Sequence, residues 1–462
     1  MSPNSKAVTK YIKGYSSLSL AAYQQLGDTL SAQRYQQAVV IPVFNETPEF
    51  IDRLQKLPAT GKTLLILVVN CPAYSDPAAR THTQFFINHL HQQLTTQRIF
   101  KGAAFGQAHS MLDVLLLDIT IPTPPLLNSA IKSGVGFARK VGMDVSLHLW
   151  HQGMITSPWI YNTDADAFWT SQYLTFSKQT FTSEGAIVLP FSHQQTEHSP
   201  LLSEAAACYD ASLRYYVLGL RWAKSPWAYH TIGSTLLIHA ESYAQTRGFP
   251  VREAGEDFYL LNKVAKTGRI YCPQEPHLQL SDRASNRVPF GTGPAVRNIA
   301  NQTNNEQQFL LYHPDCFTLL KHWHCMIPAL FNNELSAVRS NPVKTLINNP
   351  QEIIFRDYLW QGLSALGLNK ALLHAKKQSK STAQFSQHLW QWFDGFRTLK
   401  LIHWLREHCL ASISYQQWKS CFQQQQIPFL NAASSDLSSP VDVCRHLQQL
   451  ENSTLPFKGG LL

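Results

Sequence analysis

The chain has 462 residues and a mass of 52.2 kDa; 44% of the residues are hydrophobic and 15% charged, below the charged share of about 25% usual in globular proteins. Such a chain buries a sizeable core, as one enlarged domain or as two to three, and it is not an acidic disordered segment. Lys and Arg exceed Asp and Glu to give a net charge of +9, which leaves room for a polyanionic ligand or an anionic membrane surface. That excess is spread along the chain without a basic block, which argues against a nucleic-acid tail.

Eight cysteines with no CxxC pair do not form a disulfide framework. The first twenty residues (MSPNSKAVTKYIKGYSSLSL) lack the continuous apolar run of a signal peptide. Apolar runs such as 64–69 are strand-length and too short to cross a bilayer. The expectation is a reduced, cytoplasmic enzyme, with peripheral contact to a membrane left open.

Residues 1–36 read as a short, weakly helical, Gln-rich lead-in. From Ala38 the texture changes. Residues 38–43 (AVVIPV) and 64–70 (LLILVVN) are continuous Val, Ile and Leu runs, as expected of strands buried on both faces in a parallel sheet. Helical spacing over 48–57 lies between them. Residues 113–120 (DVLLLDIT) predict a third strand, closed by the Pro-rich IPTPP. A long helix follows over 129–150, with Ile131, Val135, Ala138, Gly142 and Val145 as its inward stripe. Strands are expected at 159–163 (WIYNT) and 186–191 (AIVLPF), and helices at 201–222 and at 256–266, the latter ended by Gly268. This alternation predicts an α/β domain over 37–300. Residues 301–462, rich in Gln, His, Leu and Trp, read as a mostly helical C-terminal region.

Three short segments carry the candidate chemistry. Asp164 and Asp166 (YNTDADAFW) sit where a buried strand ends, and in open α/β sheets ligands bind beyond the carboxyl ends of the strands. Paired hard oxygens there suit Mg²⁺ or Mn²⁺ completed by substrate phosphates and water. An Asx turn or helix N-cap is the plain structural reading of the same residues. Glu256 and Asp257 (EAGEDFYLLNK) open a helix, which suits its dipole and also holds a carboxylate rigidly enough to act as a general base. Pro42, Asn45 and Glu46 (VVIPVFNE) end the first strand, where a nucleotide could dock and where a capped turn is an equal explanation. Arg283 and Arg287, before a Gly-Thr-Gly turn, fit a phosphate-covering loop and a solvated loop equally well. Trp227, Tyr229 and His230 suit a sugar-stacking wall or the core, with core preferred. The cluster His313, Cys316, His322, His324 and Cys325 matches no zinc spacing and is expected to pack.

In order, VVIPVFNE, a second strand, GVGFARKVGMD, TDADA, GSTLLIHAESY and AGEDFYLLNK resemble the inverting family 2 glycosyltransferases over roughly residues 38–300. The resemblance implies a glycosyltransferase-A fold, Rossmann-like, with a mostly parallel sheet flanked by helices. It places Pro42, Asn45 and Glu46 in the first nucleotide-binding loop and Asn70 where the family has an Asp at the base or ribose. It sets Arg139 beside the diphosphate, and Asp164 and Asp166 on the nucleotide and the divalent ion. Asp257 becomes the general base, with Glu256 beside it. The implied partners are a nucleoside-diphosphate sugar and an unidentified hydroxyl acceptor. Asn70 and Pro72 depart from the family's acidic loop, which leaves the base open, and the Q-x-x-R-W motif of processive synthases is absent, which points to single addition. A sugar-phosphate nucleotidyltransferase is the catalytic alternative, although its Gly-rich first loop is replaced by PVFNET. A binding scaffold that has kept the fold is the non-catalytic one.

Overall fold

The structure is a computed structural model and describes residues 5–55, 61–72, 75–100, 102–120, 127, 134–176, 183–194, 200–252, 255–281, 291–304, 309–332, 350–430, 437 and 439–461. Its strands are β1 (Gln37–Val43), β2 (Thr63–Val69), β3 (Thr95–Phe100), β4 (Ala103–His109), β5 (Leu112–Asp118), β6 (Trp159–Asn162), β7 (Glu184–Val188), β8 (Phe191–Gln194), β9 (Leu236–His239), β10 (Arg269–Cys272), β11 (Leu278–Ser281), β12 (Leu310–Leu311), β13 (Ile413–Ser414) and β14 (Phe457–Gly459). Ten of them form one sheet in the order β14-β10-β7-β9-β6-β1-β2-β5-β4-β3. The sheet is mostly parallel in direction; β4, β9 and β14 run against the others.

The apolar runs explain the centre of the sheet. All seven residues of β1 and all seven of β2 are buried. Successive side chains of a strand point to opposite faces. Val40, Ile66, Val68 and Leu115 therefore meet the Val135–His151 helix on one face, while Val39, Ile41, Leu65, Leu67 and Val114 meet the Pro77–Gln93 helix on the other. Each such Val, Leu or Ile contributes about 1.5–3 kcal/mol on burial, and both faces of the strand collect it. Pro42 fits because β6 pairs with β1 only over Ala38–Val40, so the flank beside Pro42 is already open.

Several elements differ from expectation. The predicted strand over 186–191 is two strands broken at Leu189-Pro190: β7 stays in the large sheet and β8 pairs in parallel with β11. The edge strand β3, its neighbour β4 and the short β9 were not expected. The lead-in folds into two helices, Lys6–Gly14 and Leu20–Leu30, whose Val8, Tyr11 and Leu26 join the main core. Residues 129–133 of the expected long helix lie outside the described residues, and the helix is seen from Val135. The C-terminal region is mostly helical and packs its apolar stripes on the Pro200–Trp222 helix. It also returns β14 to the edge of the sheet beside β10. Among the described residues no helix is long and apolar enough to cross a membrane.

Candidate active site

A pocket of about 420 Å³ opens beyond the carboxyl ends of β1, β2 and β6. The chain runs from β1 to β2 on one side and returns to β6 on the other, so the pocket sits at the topological switch point of the sheet. Pro42, Glu46, Asn70, Arg139, Asp164, Asp166, Glu256 and Asp257 all line it. Five segments far apart in sequence are thus gathered by the fold.

Arg139 organises them. It lies in the second turn of the Val135–His151 helix and is almost fully buried. Its Nη2 donates to Asp164 Oδ1 at 2.7 Å and its Nε donates to Glu256 Oε1 at 3.0 Å. Burial alone would lower the guanidinium's pKa; the Asp164 and Glu256 carboxylates outweigh it and raise it. Its Nη1 is buried and has no hydrogen-bond partner among the described residues. Gly233 makes room for this fork, since a Cβ there would stand 2.8 Å from Arg139 Nη2. The Asn162 amide in turn donates to the Gly233 carbonyl at 2.6 Å and fixes that backbone.

Asp257 is half-buried at the start of the Glu256–Val264 helix. Its carboxyl is pushed up to about 7, first by burial and then by the neighbouring Glu256 charge. The Phe258 N–H donates to Oδ1 at 2.7 Å and, with the Gly233 backbone N–H and Arg139, pulls the other way. A carboxylate poised near neutral pH is suited to taking up a proton.

The N-termini of three helices, Val135–His151, Glu256–Val264 and Thr292–Asn304, meet the pocket through Gly134 and Val135, Gly255 and Glu256, and Gly291 and Thr292. Gly134 has φ 103°, a left-handed value that favours glycine, and no side chain caps that helix. Unsatisfied N–H groups and the helix dipoles favour an anion here. Side-chain charge does the opposite: among the described lining residues Glu46, Asp164, Asp166, Glu256 and Asp257 face a single guanidinium. No group of three or more His, Cys, Asp or Glu among the described residues is placed to hold a metal ion. The Asp164 and Asp166 carboxylates are two hard donors, the number that Mg²⁺ or Mn²⁺ takes when substrate phosphates and water complete its shell. The donor chemistry therefore fits such an ion.

Other expected residues fall elsewhere. Asn45 is not in the pocket lining; it adopts φ 52°, its N–H donates to Thr83 Oγ1 at 3.1 Å, and its Oδ1 lies 2.8 Å from His82 Nδ1. It shapes the turn after β1, as the capped-turn reading had it. Arg283 and Arg287 lie outside the described residues, although the Gly291-Thr292-Gly293 end of their segment lines the pocket. Trp227 is buried with its indole N–H on the Phe393 carbonyl at 3.0 Å, and His230 is buried on Glu451. In the His313–Cys325 cluster, His324 is buried with Nδ1 at the Ala223 carbonyl, Cys316 is buried and Cys325 exposed.

Two further groups were missed. Arg53 donates to the Ala165 carbonyl at 3.1 Å and lies 4.0 Å from the centre of the Phe168 ring, bracing the loop that carries both Asp residues. His193 and Tyr209 line the same pocket as Asp257. Neither sits in a motif, and only the helical register of 201–222 hinted that Asp210 and Arg214 share a face.

No family model and no curated protein matches the chain. Among solved structures, S. aureus TarS 1–349 aligns over 85% of this chain and 92% of that one, at 11% identity and a TM-score of 0.33. TarS 1–349 in complex with UDP-GlcNAc aligns over 78% and 91%, at 13% identity and the same TM-score. Values this low carry no argument about function, which rests on the pocket itself.

Proposed function

We propose that this protein is an inverting glycosyltransferase that moves a sugar from a nucleoside-diphosphate sugar to an acceptor hydroxyl. The observation that carries the reading is the convergence of Asp164, Asp166, Arg139 and Asp257 on one pocket at the sheet's switch point. Strand-end acids, a buried guanidinium with one unfilled nitrogen and three helix N-termini together suit a diphosphate. Asp164 and Asp166 would hold a Mg²⁺ or Mn²⁺ ion, which when bound offsets diphosphate charge as a Lewis acid.

In this reading Asp257 takes the proton of an acceptor hydroxyl as its oxygen bonds to the anomeric carbon. The bond from that carbon to the diphosphate oxygen breaks, and its electron pair leaves with the nucleoside diphosphate. Attack on the face opposite the leaving group inverts the anomeric centre. Arg139, held by Glu256 and Asp164, sets a fixed positive charge beside the developing negative charge. A pocket carboxylate raised toward neutral pH suits direct displacement.

The test is release of nucleoside diphosphate from a panel of nucleotide sugars by the full chain with Mn²⁺. Release from at least one donor supports the reading. Pyrophosphate formation from a nucleoside triphosphate and a sugar phosphate, with no donor turnover, would instead identify a nucleotidyltransferase. Binding of nucleotide sugars without either turnover would identify a scaffold.

A further inference from the structure

The pocket contains a histidine that the roles above leave unused. His193 lies on β8, whose register with β11 pairs it with Leu280, and both residues line the pocket. Its Nδ1 stands 2.8 Å from Asp210 Oδ1, and its own backbone N–H donates to Asp210 Oδ2 at 3.4 Å. Asp210 belongs to the Pro200–Trp222 helix and is buried. Burial alone would raise its carboxyl, but His193 and Arg214 hold it down to about 2, so it is ionised.

Asp210 is itself fixed. Arg214, one helical turn on, stands 3.6 Å from Asp210 and donates to the Phe191 carbonyl at 2.7 Å and to Glu451 Oε2 at 2.6 Å. Glu451 lies on the Pro440–Ser453 helix and also contacts Arg221 and His230. A buried chain of charges thus runs from the pocket to the C-terminal region.

The ionised Asp210 carboxylate accepts from Nδ1–H and fixes the ring, which leaves Nε2 as the ring nitrogen open to a ligand. The dyad shares the pocket lining with Asp257 and Tyr209, and the His193 and Tyr209 rings are 6.4 Å apart.

We infer that His193, oriented by Asp210, is an acceptor-binding residue whose Nε2 hydrogen-bonds a hydroxyl of a polyhydroxylated acceptor in the pocket that Asp257 also lines. This rests on the glycosyltransferase reading and names the acceptor side of the same site.

The experiment measures initial rates of the full chain with Mn²⁺, a nucleotide sugar that the wild type turns over, and glycerol or a methyl glycoside as the acceptor probe. His193→Ala is expected to raise acceptor KM by about tenfold, the effect of one lost hydrogen bond, with donor KM moving less than about twofold. His193→Gln, which still offers a hydrogen-bond acceptor, recovers part of that loss. Asp210→Asn, which keeps the shape but removes the orienting charge, shifts acceptor KM in the same direction, with circular dichroism checking its fold. Unchanged acceptor KM in His193→Ala, or equal losses for donor and acceptor, overturns the inference. So does a wild type that hydrolyses the donor but responds to none of these alcohols, and that result leaves the donor reading standing. A wild type that turns over no nucleotide sugar overturns both.

Discussion

Arg139 Nε donates to the Glu256 carboxylate at 3.0 Å across 117 residues of chain, and this one contact joins the Val135–His151 helix to the helix that carries Asp257. The same guanidinium holds Asp164, so a single side chain sets the spacing between the strand-end acids and the candidate base. Arg139→Ala would leave two carboxylates without their cation. Loss of one partner from a buried pair costs about 3–5 kcal/mol, and urea unfolding should show a decrease in that range. Arg139→Lys keeps the charge but not the fork, so it should retain more stability than Arg139→Ala while weakening nucleoside diphosphate binding by about tenfold in calorimetry.

Gly233→Ala tests the seating of that guanidinium separately. A Cβ 2.8 Å from Nη2 displaces the end of the Arg139 side chain. The expected outcome is a folded protein with a melting temperature near that of the wild type and about tenfold weaker nucleoside diphosphate binding. Wild-type affinity in this variant would show that the guanidinium position does not matter to the nucleotide.

Asp144 ties the N-terminal helices to the Val135–His151 helix and the main core. It is fully buried on the Val135–His151 helix and accepts from Tyr11 (2.6 Å), Tyr243 (2.9 Å), the Ser17 N–H and hydroxyl (both 2.7 Å) and Lys140 (3.0 Å). Asp144→Ala strands the buried Lys140 ammonium and should destabilise the protein by about 3–5 kcal/mol in urea unfolding. A loss under about 1 kcal/mol would mean that the helices before residue 31 are not held through this hub.

The C-terminal region braces the helix of the candidate base. Asp394 caps the Gly395–His408 helix through the Arg397 N–H, while its Oδ2 accepts from Asn262 at 3.1 Å and Lys266 at 2.5 Å. Asp394→Ala removes the cap and leaves the buried Asn262 amide short of a partner. Stability should fall by about 2–3 kcal/mol, read by urea unfolding, and donor turnover should fall with it because Asp257 lies at the start of the braced helix.

Asp257 makes stability depend on pH. Its folded carboxyl, near 7, binds a proton more tightly than in the unfolded chain, where the ordinary value is 3.8. Its contribution is therefore fully present below about pH 4 and lost as pH rises through about 7. Asp257→Asn, neutral throughout, should raise the melting temperature at about pH 8 more than at about pH 5. An equal change at both would show that burial does not perturb this carboxyl.

What the sequence reveals follows from how local each signal is. β1, β2 and β5 are legible because burial on both faces demands runs of Val, Ile and Leu, and β6 (WIYN) and β7 (EGAIV) are legible from their short aromatic and β-branched stretches. β3 (TTQRIF) forms the sheet edge and β4 (AAFGQAH) lies between it and β5; both carry polar residues, so their strand character depends on partners rather than on composition. β9 is four residues long and its apolar run is no longer than a helix turn. In the site, Asp164, Asp166 and Asp257 are legible because each ends a strand or starts a helix, where direction is fixed locally. His193 is not, since its meaning comes from Asp210, seventeen residues on and beside Arg214, which Glu451 holds from the far end of the chain. Asn45 misleads for the converse reason: a strand-end Asn can serve a ligand or its own turn, and here His82 and Thr83 take it.

The most direct measurement of the central claim is the pH dependence of nucleotide-sugar turnover in the wild type and in Asp257→Asn. The account predicts a rate that is low in acid, rises through a midpoint near 7 as Asp257 gives up its proton, and collapses by about a hundredfold or more at all pH values in the variant. Undiminished turnover in Asp257→Asn, or a wild-type profile with no rise near neutrality, would contradict it.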